Sequence, residues 1–233
     1  MKNRPIPNLS DDQKAYVRSL LLYEDDYVLA FNKPSGLAVQ TRGNRGTSLD
    51  HLLWSFARSN GKRPHLVHRI DAGTSGLILA AKTKPAMAAL SAEFAERRVR
   101  KTYLALVAGT LPPGDQGRIE VALKKSGRSV TPGLVDQGAD AAITDWTLLK
   151  RSHGAALIEA RPLTGRMHQI RAHLAHLGCP IFGDVIYGTG TQSAERLMLH
   201  AARLEITRPD GQALALEAPV PEAFAAKQLE LGL

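Results

Sequence analysis

Short apolar runs separated by charged or glycine-containing turns make up most of the chain, and helical spacing interrupts them in only a few places. Residues 21–23 and 27–31 flank Glu24-Asp25-Asp26 and read as a hairpin leading into Asn32-Lys33-Pro34-Ser35-Gly36. A loop is expected over residues 43–46. Thr47 or Ser48 then caps a helix with Leu49, Leu52, Leu53 and Phe56 at helical spacing. Residues 65–70 and 77–82 read as strands on either side of a turn over 71–76. Thr83 caps the next helix, with Pro85 in its first turn and Met87, Leu90 and Phe94 on the buried face.

Downstream, residues 101–107 form a β-branched and aromatic strand. The Gly-, Pro-, Lys- and Asp-rich stretch 111–140 predicts hairpins and loops. Residues 142–149 and 155–161 are two more strands, and 166–177 a helix closed by Gly178. Strand character returns over 197–206 and 213–218. Strands outnumber helices and follow one another without a βα alternation, so the class is α+β with mixed or antiparallel sheet. The first 20 residues are polar and predict an arm or a loosely docked helix; 219–233 is expected as a C-terminal tail.

Composition adds a direction. The 233 residues are 44% hydrophobic and 22% charged, as in globular proteins, with 30 Lys and Arg against 22 Asp and Glu, a formal charge of +8. Such a surplus favours a polyanion, because cations that neutralise phosphates release condensed counterions. No basic amphipathic helix, lipidation signal or membrane-length apolar run supports a membrane as the partner. Cys179 is the single cysteine, which excludes a disulfide framework within the chain and suits a reducing cytoplasm. The N-terminal residues, with Asp11 and Asp12, do not read as a signal peptide.

Two polar clusters hold the candidate chemistry. His68-Arg69-Ile70-Asp71-Ala72-Gly73-Thr74-Ser75-Gly76 lies between two apolar strands. Its residues leave Asp71 open between two roles: acceptor of an Asx-turn, or a carboxylate projected from the sheet toward a ligand. In Thr164-Gly165-Arg166-Met167-His168-Gln169-Ile170-Arg171-Ala172-His173, residues Arg166, Gln169 and His173 form a polar stripe. Such a stripe is usually a solvated helix face, yet an arginine at a helix start opposes the macrodipole and implies a nearby carboxylate or phosphate. His168, His173 and His176 lack the i, i+4 pair of a zinc helix, and neither a phosphate loop nor a nucleophile elbow is present, so neither metal nor cofactor is expected.

These clusters carry a resemblance. His68-Arg69-Ile70-Asp71 followed by Thr74-Ser75-Gly76-Leu77 resembles the signature of the RluA-type RNA pseudouridine synthases, with isoleucine where leucine is usual. Four further blocks follow the family's pattern and order: Asn32-Lys33-Pro34-Ser35-Gly36-Leu37, Lys101-Thr102-Tyr103, Thr164 through Arg171, and Gly183-Asp184-Val185-Ile186-Tyr187-Gly188. Together they span residues 21–218, the expected catalytic domain.

The resemblance implies a pseudouridine synthase architecture, a mixed β-sheet in two lobes with helices flanking a central active-site cleft. It implies cofactor-free isomerisation of uridine in ribosomal or transfer RNA, with the N1–C1′ bond broken and the base rejoined through C5. Asp71 takes the place of the catalytic carboxylate, and three routes stay open to it: attack at C1′, addition at C6, or assistance to a glycal. Arg166 takes the place of the arginine that pairs with it and would hold its pKa down. Tyr103 matches the tyrosine that stacks on uracil. Base flipping would leave a gap for Arg69 to enter. His68, Lys33, His168 and Arg171 are expected to support the cleft or touch phosphate, with His68, His168 and Arg171 carried as substrate-binding candidates. Twenty residues before the first strand are too few for the accessory S4-type RNA-binding module of many relatives, so a bare catalytic domain is expected. It would work as a monomer in the cytoplasm without an obligate protein partner. Three rival readings are a non-catalytic RNA-binding protein of the same fold, an N-glycosidase releasing uracil, and a hydrolase pairing Asp71 with Asp184.

Overall fold

The computed structural model describes residues 8–41, 47–109, 111–190 and 193–233. The expected loop over 43–46 lies outside them. The chain forms two compact units: Met1–Val99 with Glu205–Ala218, and Arg100–Leu204 with Pro219–Leu233.

In the first unit, α1 (Asp11–Ser19) opens with a full capping box, in which the Ser10 hydroxyl accepts from the Gln13 amide and the Gln13 side chain accepts from the Ser10 amide. Val17 is buried, so the expected arm is a docked helix. The hairpin β1 (Leu21–Glu24) and β2 (Val28–Lys33) follows, closed by the Asp25 carboxylate, which accepts the Tyr27 and Val28 amides. Ser48 caps α2 (Leu49–Leu52), which tightens into a 3-10 turn over Leu53–Phe56.

Only His65–Leu66, β3, is strand where 65–70 was expected. Beyond Leu66 one more backbone bond forms, from the Val67 amide to the Leu79 carbonyl at 3.3 Å, and then a side chain takes over, as the Leu79 amide donates to His68 Nε2 at 2.9 Å. Strand β4 (Ser75–Ala81) is buried along its whole length and pairs antiparallel with both β2 and β3. Thr83 caps α3 (Lys84–Ala95) as expected. Ala86, Leu90 and Glu93 are its fully buried residues, and Met87 and Phe94 are only half-buried.

The second unit is an antiparallel sheet in the order β5 (Arg100–Ala108), β10 (Ala155–Pro162), β9 (Ile143–Ser152), β6 (Gln116–Glu120). A separate hairpin, β7 (Leu123–Ser126) and β8 (Ser129–Pro132), confirms the expected hairpin content of 111–140. Helix α4 (Gln169–His176) packs beside β8, β9 and β10. It starts three residues later than its apolar spacing predicts, after His168 in left-handed backbone at φ +51°. Gly178, at φ +76°, ends it as expected.

Strand β11 (Leu199–Thr207) lies beside β5 and pairs with β12 (Ala213–Glu217), and the chain finishes in α5 (Glu222–Glu230). The expected C-terminal tail is thus a structural part of the second unit. Phe224 and Leu233 join Leu106, Ile158, Leu174 and Met198 in its core. Among the described residues no helix is long and apolar enough to cross a membrane.

Candidate functional site

Asp71 opens the turn that precedes β4. The Thr74 amide donates to the Asp71 carbonyl at 3.1 Å, and the segment Asn32-Lys33-Pro34-Ser35-Gly36 grips the turn's other two carbonyls. Lys33, fully buried, donates its ammonium to the carbonyls of Pro34, Leu37 and Ala72 at 2.8, 2.9 and 3.0 Å. The Gly36 amide reaches the same Ala72 carbonyl at 2.8 Å, and Ser35 Oγ donates to the Gly73 carbonyl at 2.7 Å. Gly36 is in left-handed backbone, φ +89°, which suits its residue type at this tight crossing. The backbone that carries the Asp71 carboxylate is therefore fixed by a buried cation, not by its own turn alone.

His68, three residues earlier, stacks on Phe94 with ring centroids 4.4 Å apart. Its Nε2 accepts the Leu79 amide, which places the proton of the neutral ring on Nδ1. Its observed contacts anchor the motif to β4. Arg69 is exposed, while Asp71 is half-buried.

The second unit holds the other candidates. Tyr103 sits on β5 opposite Ala160 of β10, half-buried against the core. Arg166 lies before α4, not in its first turn. Its Nε donates to the Ala141 carbonyl at 3.1 Å and its guanidinium stands 3.3 Å from the Asp140 carboxylate. Asp140 is thus a carboxylate partner of Arg166 within its own unit.

The polar stripe is not a solvated face. Gln169 and His173 are 4% and 0% exposed and belong to one connected network. The Ile143 amide donates to Thr164 Oγ1, which donates to Gln169 Oε1; that oxygen also accepts the Arg166 amide at 3.0 Å. Gln169 Nε2 donates to the Ile143 carbonyl and to Thr144 Oγ1. Thr144 in turn meets His173 Nδ1, and His173 Nε2 meets the Val121 carbonyl, both at 2.9 Å. A carbonyl only accepts, so His173 Nε2 carries a hydrogen, and burial pushes the pKa of the ring down, which favours the neutral Nε2–H tautomer. The network bolts α4 to β9 and fixes the backbone of Arg166.

Arg171 is 6% exposed and forms a two-pronged pair with Asp184, at 2.8 and 2.7 Å. Burial would raise the Asp184 carboxyl, but Arg171 and the Ile186 and Tyr187 amides outweigh it and hold the group below its ordinary value. Arg171 therefore shapes the 184–187 turn. Asp184, the second acid of the hydrolase reading, is consumed by these contacts. His168 Nδ1 lies 3.1 Å from the Tyr187 hydroxyl, which accepts the Val130 amide at 2.8 Å. Cys179 is buried and its thiol pKa raised by that burial, an inert core position.

Spacing alone did not reveal Asp140, Thr144 and Tyr187 as partners. Thr164, Gln169 and Tyr187 do stand in the motif blocks, but the partner that locks Gln169 and His173, Thr144, lies in the plain strand sequence Ile143-Thr144-Asp145 and carries no local signal.

Residues 27–176 match the RNA pseudouridylate synthase family. Ribosomal large subunit pseudouridine synthase C of Rickettsia bellii is 39% identical over 217 residues, 91% of this chain and 71% of that protein. An uncharacterised RNA pseudouridine synthase of Zymomonas mobilis is 36% identical over 88% of this chain and 94% of its own. Among solved structures, human RNA pseudouridylate synthase domain containing 4 superimposes with a TM-score of 0.79 over 95% of this chain and 97% of its own, at 24% identity, a likeness of fold. Sequence match, fold likeness and the motif turns converge: the chain belongs to the RNA pseudouridylate synthase family, whose members isomerise uridine in RNA.

Proposed function

We propose that Asp71 is the catalytic carboxylate, that Tyr103 stacks on the target uracil, and that Arg166 is the third residue of the catalytic set. The observation that carries the reading is the grip on the Asp71 turn: Lys33 and Ser35 fix the carbonyls of Ala72 and Gly73, so the carboxylate springs from a preorganised backbone. The Gln169 contact to the Arg166 amide gives that arginine a comparably fixed origin. Arg69, exposed beside this turn, enters the stack when the uridine flips out. His68, His168 and Arg171 serve by holding the elements that bear these groups, as their contacts with Leu79, Tyr187 and Asp184 indicate.

The substrate is a structured RNA, and ribosomal large-subunit RNA is the first candidate because relatives 39% and 33% identical to this chain carry that name. Carbodiimide labelling and primer extension on RNA from cells with and without the protein should show a mark lost at one or a few uridines. Wild type should restore the mark and Asp71→Asn should not, with turnover falling by at least about 10³-fold while RNA affinity stays within a few-fold. Normal turnover in Asp71→Asn would sink the assignment; release of free uracil would point to a glycosidase instead.

A further inference from the structure

Arg166 is held at both ends by one short stretch of chain. At its backbone, the amide donates to Gln169 Oε1 at 3.0 Å, and Gln169 Nε2 is tied in turn to the Ile143 carbonyl and to Thr144 Oγ1, both at 2.9 Å. At its tip, Nε donates to the Ala141 carbonyl at 3.1 Å and the guanidinium stands 3.3 Å from the Asp140 carboxylate. Residues 140–144 therefore set both where the side chain starts and where it ends.

That stretch is itself firmly placed. Asp140 exchanges backbone hydrogen bonds with Leu123, both at 2.9 Å, Ala142 is buried, and Ile143 enters β9 opposite Glu120. Thr144 is fully buried, and its hydroxyl is used in both of its roles. In the neutral Nε2–H ring, His173 Nδ1 accepts, so Thr144 Oγ1 donates to it while accepting from Gln169. Every bond then runs one way, from the Arg166 amide through Gln169, Thr144 and His173 to the Val121 carbonyl. A buried polar chain with each member satisfied admits a single arrangement, and losing the hydroxyl in its middle strands the neighbours on both sides.

Asp140 contributes something different. Its side chain is 66% exposed, so the ion pair with Arg166 adds little to stability. What it does is select one direction for a long side chain that would otherwise sample many rotamers.

We propose that Asp140 and Thr144 are positioning residues for the isomerisation, the first aiming the Arg166 guanidinium and the second fixing its backbone through Gln169. This rests on the reading of Arg166 as a member of the catalytic set and adds two residues outside the motif blocks.

The test measures single-turnover rate and RNA affinity for each variant, alone and combined with Arg166→Gln, on a transcript carrying the uridine found by carbodiimide mapping. Asp140→Asn keeps the shape and removes the charge, and the rate should fall roughly three- to fivefold. Thr144→Val removes the buried hydroxyl, and the rate should fall on the order of tenfold to a hundredfold. Affinity should stay within about twofold in both, since the loss is confined to the transition state. Asp140→Glu and Thr144→Ser, which restore the charge and the hydroxyl, should recover most of the rate. In the Arg166→Gln background neither substitution should slow the reaction further by more than about twofold, because each acts through that arginine. The inference falls if Asp140→Asn, at an exposed position where folding is not at stake, keeps the wild-type rate. It falls equally if either substitution costs as much without Arg166 as with it. Normal turnover in Arg166→Gln alone would instead overturn the catalytic reading of Arg166, so the two failures are told apart.

Discussion

A lysine with 0% exposure and three backbone carbonyls around its ammonium is an unusual way to fix a turn. Lys33 does by charge what a shorter residue does by shape: it collects carbonyls from two segments that pairing alone would not bring together. Lys33→Met keeps the volume but strands those acceptors, and we expect it to lower stability by about 2–4 kcal/mol, read as an earlier urea midpoint, with turnover falling alongside. Lys33→Arg offers no rescue, because the larger guanidinium has no room. The buried His173 gives a second expectation with a definite sign. Its folded pKa lies below the ordinary 6.5, so its neutral-form contribution is present in full above pH 6.5 and is lost as pH falls from there toward the depressed value. Urea unfolding between pH 8 and pH 5 should show that decline, and His173→Gln, which keeps a donor and an acceptor but does not titrate, should flatten it.

At the scale of elements, α5 tests how far the second core extends. Phe224 is fully buried, so Phe224→Ala should cost about 3–5 kcal/mol, with hydrogen exchange accelerating in β5 and β10, the strands whose core it joins. The contrast between α5 and α4 also shows what the sequence could and could not convey. The succession of strands along the chain, the caps at Ser48 and Thr83 and the stop at Gly178 were legible because each depends on neighbours a few residues away. The start of α4 was not, because a buried glutamine bonded to Thr144 and Thr164 determines it, together with a histidine in left-handed backbone. Likewise, the motif made Asp71 and Arg166 visible as candidates. The supports, Lys33 through Ala72 and Arg166 through Asp140, span dozens of residues or join segments with no periodicity to betray them. Residues 219–233 looked like a tail since only Phe224 is fully buried within the helix, too sparse a stripe to signal docking.

Over the whole molecule, charge and connectivity set the terms. The +8 surplus is distributed as exposed cations alongside engaged ones: Arg171 and Lys33 are spent on the interior, whereas Lys124, Lys125 and Arg128 face water. Net charge therefore overstates what is available to RNA, and the salt dependence of RNA binding counts the available part. Connectivity has a different effect. The first unit is broken in sequence, its opening segment ending at Val99 and its closing one running from Glu205 to Ala218, while the second resumes at Pro219. On the ribosome, a nascent chain halted anywhere before Glu205 holds neither unit complete. Its β2 and β4 are then paired but lack the strands of the closing segment, and the second core lacks Phe224. The first half of this RNA-modifying enzyme closes only once synthesis has reached Ala218, and the second only after Phe224 has joined its core, so a product terminated before Glu205 should be cleaved by proteases faster than the whole chain.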